Sequence, residues 1–334
     1  MNQIPKGRIF SGMRPSGRLH LGNWLGALKN WVTLQESYEC FYCAVDVHAL
    51  TTIKDRRDTQ SIQINVYDMV LDWLAAGIDP DKSVIFVQSR VPDVLTLQSL
   101  LSMITPLGWL MRVPTFKERI RQMDTTEDSV SYGLVGYPVL MASDIILYKA
   151  DTVPVGEDQL PHIELTREIV RRFNSIFDPI FPEPKAVLTE SPMILGTDGF
   201  SKMSKSLDNH LELAASPEET LTRLRSAFTD PKRLRKSDPG TPEVCNIYKL
   251  HSYFNSNQLS KIHNECSNAT RGCVDCKFEL GEKINESLEE FRHRRRLLME
   301  RPNYVRDVLE SGADKARLIA SETIAEVKSC MGLY

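Results

Sequence analysis

The apolar positions of this chain follow two alternating rhythms. Residues 8–11, with Ile9 and Phe10, form a short strand-like run ending in a loop that carries Gly12, Pro15, Ser16 and Gly17. Over residues 20–35, Leu21, Trp24, Leu25, Leu28 and Val32 recur near helical spacing. Residues 41–47 are almost wholly apolar, as expected of a parallel strand buried on both faces. Ile62, Val66, Met69, Val70, Trp73 and Leu74 return to the three-and-four spacing of a helix, which Gly77 closes. Residues 84–87 read as a third strand. A strand, helix, strand, helix, strand order predicts an α/β fold with a doubly wound, Rossmann-like parallel sheet.

Further along, residues 94–150 are more helical. Residues 153–156 read as a strand turning into a helix that includes Ile163, Ile169 and Phe173. Proline and glycine dominate residues 178–199, which predicts irregular chain leading to a mobile loop around 200–209. Helical spacing prevails from Pro217 onward. Phe278, Ile284, Leu288, Phe291 and Leu298 mark one long helix, and Val305, Leu309, Ala316, Ala320 and Val327 another. The pattern predicts an α/β domain over residues 1–210 and a smaller all-helical domain over 211–334.

Composition changes this picture little. The chain has 334 residues, 42% hydrophobic and 25% charged, which suits one large and one small globular domain. No apolar run approaches the roughly 18 residues of a membrane span, and residues 1–6 are too short and polar for a signal peptide. A cytoplasmic protein is expected. A net charge of −3 argues against a dedicated nucleic-acid coat but leaves room for local basic surfaces, such as residues 232–236 and 292–296.

The chemistry is concentrated in two short motifs. A strand, a small-residue loop and a helix make an anion site, because the helix amino terminus presents unsatisfied N–H groups. Set into that geometry is His20-Leu21-Gly22-Asn23. His20 and Asn23 carry hydrogen-bond donors suited to phosphate oxygens, and Gly22 leaves room for a nucleotide. Lys202-Met203-Ser204-Lys205-Ser206 follows about 180 residues later. Its two ammonium groups are suited to a triphosphate and its departing pyrophosphate.

These two motifs resemble the signatures of class I aminoacyl-tRNA synthetases, whose first motif is usually His-Ile-Gly-His. Asn23 in its last position resembles the bacterial tryptophanyl branch, where the stretch is P-S-G-x-x-x-x-G-N; here it runs from Pro15 to Asn23. Similarity continues in Ile9-Phe10-Ser11-Gly12, Val45-Asp46-Val47-His48-Ala49-Leu50-Thr51, Tyr137-Pro138-Val139-Leu140-Met141-Ala142-Ser143-Asp144, Val153-Pro154-Val155-Gly156-Glu157-Asp158-Gln159 and Gly312-Ala313-Asp314-Lys315-Ala316.

The resemblance implies a ligase that joins tryptophan to tRNA(Trp) using ATP and Mg²⁺ and works as a homodimer, with a catalytic domain over 1–210 completed by the C-terminal helix and an anticodon-binding helical domain over 211–334. It implies His20, Asn23, Lys202 and Lys205 as catalytic residues. It assigns Arg14, Ser16, Gly22, Asn23, Gly156, Glu157, Asp158, Lys202, Met203, Ser204, Lys205 and Ser206 to the nucleotide. Phe10, Gly12, His48, Tyr137, Met141, Asp144, Val153, Val155 and Gln159 are implied around tryptophan. The chain departs from the family at Arg14 and Val47, where glutamine is common.

Asp144 has a physical reason of its own. Indole has a single N–H donor, so a buried carboxylate is a suitable reader, and an analogue without that donor leaves the charge unpaired. Met141 lies one turn earlier on the same helical face, where a soft apolar side chain packs against an aromatic ring. Tyrosyl enzymes are the nearest alternative, and a non-catalytic paralogue that binds RNA or protein is another.

Seven cysteines accompany these motifs, and four of them bunch late in the chain. Cys245, Cys266, Cys273 and Cys276 are ordered C-x20-C-x6-C-x2-C, a donor set for a 4Fe–4S cluster or for zinc. Resemblance to cluster-bearing tryptophanyl enzymes favours iron–sulfur. Cys40 and Cys43 fall in the apolar strand and are expected as core packing.

Overall fold

A computed structural model describes residues 6–52, 55–114, 116, 130–188 and 193–334. Among the described residues, five strands form one parallel sheet: β1 (Arg8–Met13), β2 (Glu39–Ala44), β3 (Ser83–Val87), β4 (Thr152–Val155) and β5 (Lys185–Leu188). Their order is β3-β2-β1-β4-β5. The chain starts in the middle, winds outward to β3, then returns to the far side of β1. The β1–β4 gap is therefore the switch point, where the loops leaving adjacent strand ends diverge and ligands bind in open α/β sheets.

Two details differ from the sequence pattern. Strand β2 stops at Ala44 rather than Val47, because Val45 turns out of extended geometry and Asp46–Ala49 is helical. Asp46 accepts the Ser89 N–H at 2.9 Å and its hydroxyl at 2.6 Å, which gives a polar side chain a reason to end the strand. Strand β5 falls inside the stretch expected to be irregular. It is short, mostly exposed and on the sheet edge, so no apolar run announces it.

Two compact units emerge. The first comprises residues 1–17, 30–190 and 301–334, so the helix Pro302–Cys330 belongs with the sheet. A Cβ at Gly312 would lie 1.9 Å from Ile85 O. Only glycine permits that approach to β3, and the buried Ala313, Ala316 and Ala320 continue the flat small-residue face. Phe41, Phe86, Val94, Leu97, Leu140, Ile169 and Phe173 fill the core around the sheet.

The second unit comprises residues 18–29 and 191–300. Its helices include Pro217–Ser226, Asn246–Phe254, Leu259–Ser267 and Cys273–Met299. Ser216 and Glu219 cap the first of these reciprocally. Leu224, Leu280, Ile284, Leu288 and Phe291 are its buried spine. Among the described residues, no helix is long and apolar enough to cross a membrane.

Candidate active site

In the first unit, the helix Tyr132–Leu147 carries Tyr137, Met141 and Asp144 on one face, at steps of four and three residues. Asp144 is buried, and its carboxylate is held from two sides. Gln88 Nε2 donates to Oδ1 at 2.8 Å and to Oδ2 at 2.9 Å, and His48 Nε2 lies 2.8 Å from Oδ2. Gln88 is itself fixed, since its Oε1 accepts the Val47 and His48 N–H groups at 3.1 and 3.3 Å. A carboxylate offers about four acceptor positions. These contacts occupy three of them, which leaves one for an incoming donor.

The other expected tryptophan residues are placed as follows. Phe10 stacks on Tyr148, ring centres 5.7 Å apart, at the middle of β1. A Cβ at Gly12 would lie 2.8 Å from Val45 Cγ1. Tyr137 is buried with its hydroxyl 3.3 Å from His162 Nε2. Val153 is buried on β4, while Met141 and Val155 are half-buried against the same core. Gln159 donates to Asp158 Oδ2 at 2.9 Å.

Of the residues expected at the nucleotide, Arg14, Ser16, Gly156, Glu157 and Asp158 also belong to this unit. Arg14 donates to Thr52 Oγ1 at 2.7 Å and to Ala49 O at 3.4 Å. Gly156 leaves β4, and Glu157–Gln159 is a single 3₁₀ turn. Arg14 and Gly156 thus follow the two strands that flank the switch point.

The second unit brings the two motifs together. The helix beginning at Leu21 starts at His20, whose N–H donates to Asn23 Oδ1 at 3.1 Å. That bond orients the Asn23 carboxamide and leaves its NH₂ as the outward donor. Gly22 faces the second motif, since a Cβ there would lie 3.0 Å from the His20 ring and 3.5 Å from Met203 Cβ. Burial, then the charges of His210, Lys205 and Lys202, lower the His20 basicity to about 4, so its imidazole is neutral at physiological pH.

Residues 202–206 form a loop organised from within. Met203 donates its N–H to Ile194 O at 2.8 Å. Asn209 Oδ1 accepts the Ser204 N–H at 2.7 Å, and Asn209 Nδ2 donates to Asp198 Oδ2 at 2.8 Å. Ser204 Oγ and Ser206 Oγ are 2.8 Å apart. A Cβ at Gly196 would lie 2.2 Å from the Asn209 side chain, so the glycine makes room for that bracket.

Sequence reasoning missed Gln88 and Asn209. Gln88 had a faint signal, a polar residue directly after the apolar β3. Asn209 had none, since its role depends on a fold-back that no periodicity records.

The late cysteines converge without closing on an ion. Cys245, Cys266, Cys273 and Cys276 line one cavity together with Arg233 and Arg271. Arg233 Nη1 lies 3.6 Å from Cys266 Sγ, and His251 Nε2 lies 3.4 Å from Cys276 Sγ. Among the described residues, however, no group of three or more His, Cys, Asp or Glu side chains is arranged to hold a metal ion. The expected metal centre is thus not preformed. Burial pushes the Cys276 thiol up to about 11, against the pull of Arg271, and raises Cys245 and Cys266 as well.

Comparison with known proteins places this arrangement. The family model of class I tRNA synthetases (W and Y) matches residues 4–289. The tryptophan–tRNA ligase of Thermotoga maritima is 48% identical over 329 residues, 98% of this chain and 99% of that protein. That of Aquifex aeolicus is 40% identical, covering 98% of this chain and all of the relative. The crystal structure of tryptophanyl-tRNA synthetase from Campylobacter jejuni, complexed with ADP and tryptophan, is 34% identical with a TM-score of 0.85, over 98% of this chain and 100% of that one. The family model over most of the chain and these full-length relatives show that the chain belongs to the class I tRNA synthetases, on their tryptophanyl branch.

Proposed function

We propose that this chain is a tryptophan–tRNA ligase whose amino-acid reader is Asp144. The observation that carries the reading is the carboxylate itself, buried and held by Gln88 and His48 with one acceptor position to spare. An indole N–H fills that position. A phenol, which both donates and accepts, leaves its acceptor side unpaired against apolar neighbours. Phe10, Gly12, Met141, Val153 and Val155 wall the ring, and Tyr137 and Gln159 take the amino group.

Arg14, Ser16, Gly22, Gly156, Glu157 and Asp158 bind ATP, whose phosphates lie on His20, Asn23 and residues 202–206. The tryptophan carboxylate attacks the α-phosphorus, and the bond to the bridging oxygen breaks to release pyrophosphate. The nucleophile is already ionised, so no general base is needed; positioning and charge stabilisation do the catalysis. Mg²⁺ supplies further charge neutralisation on the phosphates when bound. The terminal ribose hydroxyl of tRNA(Trp) then attacks the mixed anhydride, AMP leaves, and the hydroxyl proton passes to solvent. The same reading takes the enzyme as a cytoplasmic homodimer.

Exchange of pyrophosphate into ATP tests it. Exchange is expected with tryptophan and not with tyrosine. Exchange with tyrosine alone would move the chain to the other branch of its family.

The cysteine quartet is assigned to a 4Fe–4S cluster held by Cys245, Cys266, Cys273 and Cys276, in a structural role. Arg233 Nε and Arg271 Nε are buried beside the thiols without hydrogen-bond partners, as suits a site that holds a net negative thiolate centre. Loading releases the thiol protons. Anaerobically purified protein is expected to be brown, with iron and sulfide. Colourless protein carrying one zinc per chain would replace the cluster with the alternative metal, and metal-free protein would remove both.

A further inference from the structure

The residues after the lysine loop turn back onto the first motif. Leu21 donates its N–H to Leu211 O at 2.9 Å, Leu213 donates to Leu19 O at 2.9 Å, and His20 pairs with Glu212 in an antiparallel bridge. Residues 210–213 are thus pinned along residues 19–21, starting where Asn209 closes the loop. The imidazole of His210 is thereby set beside that of His20, with ring centres 6.2 Å apart and planes tilted by 59°. The Nδ1 atoms of both rings are buried without a hydrogen-bond partner.

The surrounding charges are lopsided. Arg223 and Lys205 face His210, while Lys205 and Lys202 face His20. The opposing groups are Glu212 and Asp208. Glu212 lies 3.7 Å from His210 Nε2 and 3.8 Å from Arg18, and Asp208 is held by Arg223 at 2.5 Å. Both carboxylates already have cationic partners, so among the described residues neither is free to neutralise a second charge in this corner. A polyphosphate supplies what is missing: several oxygen acceptors and negative charge on one ligand.

We propose that His210 is a further phosphate-binding residue of this site, donating an imidazole N–H to the outer phosphoryl oxygens of ATP and to departing pyrophosphate beside His20. The inference rests on the adenylation reading above. Burial, with Arg223 and Lys205, lowers the basicity of His210 against the pull of Glu212 and Asp208, so the free protein presents a largely neutral ring. A bound polyanion favours the imidazolium. Binding therefore takes up a proton and weakens as pH rises through the ligand-bound pKa.

Full-length protein labelled with ¹⁵N-histidine is titrated with inorganic pyrophosphate to test this. The His210 ring resonances, assigned through His210→Ala, are expected to move toward the imidazolium pattern, with an apparent pKa raised by about one unit. In the exchange assay, His210→Ala raises KM for ATP and for pyrophosphate about tenfold, while KM for tryptophan is unchanged. His210→Asn, which keeps an N–H donor, recovers part of that loss but not the pH dependence of KM for ATP. Unmoved ring resonances at saturating pyrophosphate overturn the proposal. So does an equal loss of ATP and tryptophan affinity in His210→Ala, which marks a structural role. The titration needs no amino acid: shifted resonances in a protein that exchanges with no amino acid support the anion site and strike the adenylation reading instead.

Discussion

Asp144→Ala lowers kcat/KM for tryptophan by about 10³-fold, ~4 kcal/mol, while KM for ATP stays within about twofold. The size follows from what the carboxylate does. A hydrogen bond to a buried charge contributes about 1.5–3 kcal/mol. Removing the acceptor also strands the two Gln88 donor contacts and the His48 contact that now converge on it. Stranded donors rearrange or take in water, and either response spoils the surface against which the indole packs. Gln88→Ala is the graded case. It removes two of the three bonds on the carboxylate but leaves His48, so KM for tryptophan rises about tenfold with little change in kcat. Steady-state exchange kinetics with varied tryptophan and fixed ATP separate these outcomes. Equal losses toward both substrates in Asp144→Ala would show that the residue supports the fold of the first unit rather than reading the amino acid.

What the sequence made legible and what it hid divide along a physical line. The doubly wound sheet was legible because β2 and β3 are buried on both faces and so leave continuous apolar runs, separated by the helical spacing of Ile62–Ala76. Strand β5 was not, since an exposed edge strand has no burial to record. The meeting of the His20 motif with the loop of Lys202 and Lys205 was legible because charged and polar groups at fixed spacing suit one shared ligand. The contacts around Asp144 and around the lysine loop were hidden. Gln88 meets Asp144 across 56 residues, Asn209 folds back on Ser204 and Asp198, and a turn lays residue 210 beside residue 20. The cysteine quartet is the intermediate case. Spacing pointed to one cluster of thiols and the chain does gather them in one cavity, but spacing does not set how side chains are arranged, and among the described residues no group is arranged to hold a metal ion.

Lys205→Ala lowers kcat for adenylate formation by about 10²- to 10³-fold, ~3–4 kcal/mol, with KM for tryptophan nearly unchanged. An ammonium that neutralises charge developing on the leaving pyrophosphate acts mainly in the transition state, so its loss falls on kcat. The loop itself survives the change. Its shape rests on the Ser204 N–H to Asn209 bond, the Asn209 to Asp198 bond and the Met203 N–H to Ile194 O bond, none of which uses the lysine side chain. Lys205→Arg keeps the charge but spreads it over a planar fork, and restores only part of the rate. Lys202→Ala produces a similar loss, and the double variant falls short of the product of the two, because both ammonium groups serve the same departing anion. One further consequence needs no substrate. Lys205 is among the charges that hold His20 near 4, after burial and His210, so Lys205→Ala raises the His20 pKa from there toward the ordinary histidine range. A ¹⁵N-histidine pH titration that leaves His20 unmoved would mean that Lys205 does not face the first motif, and the kinetic prediction would fall with it.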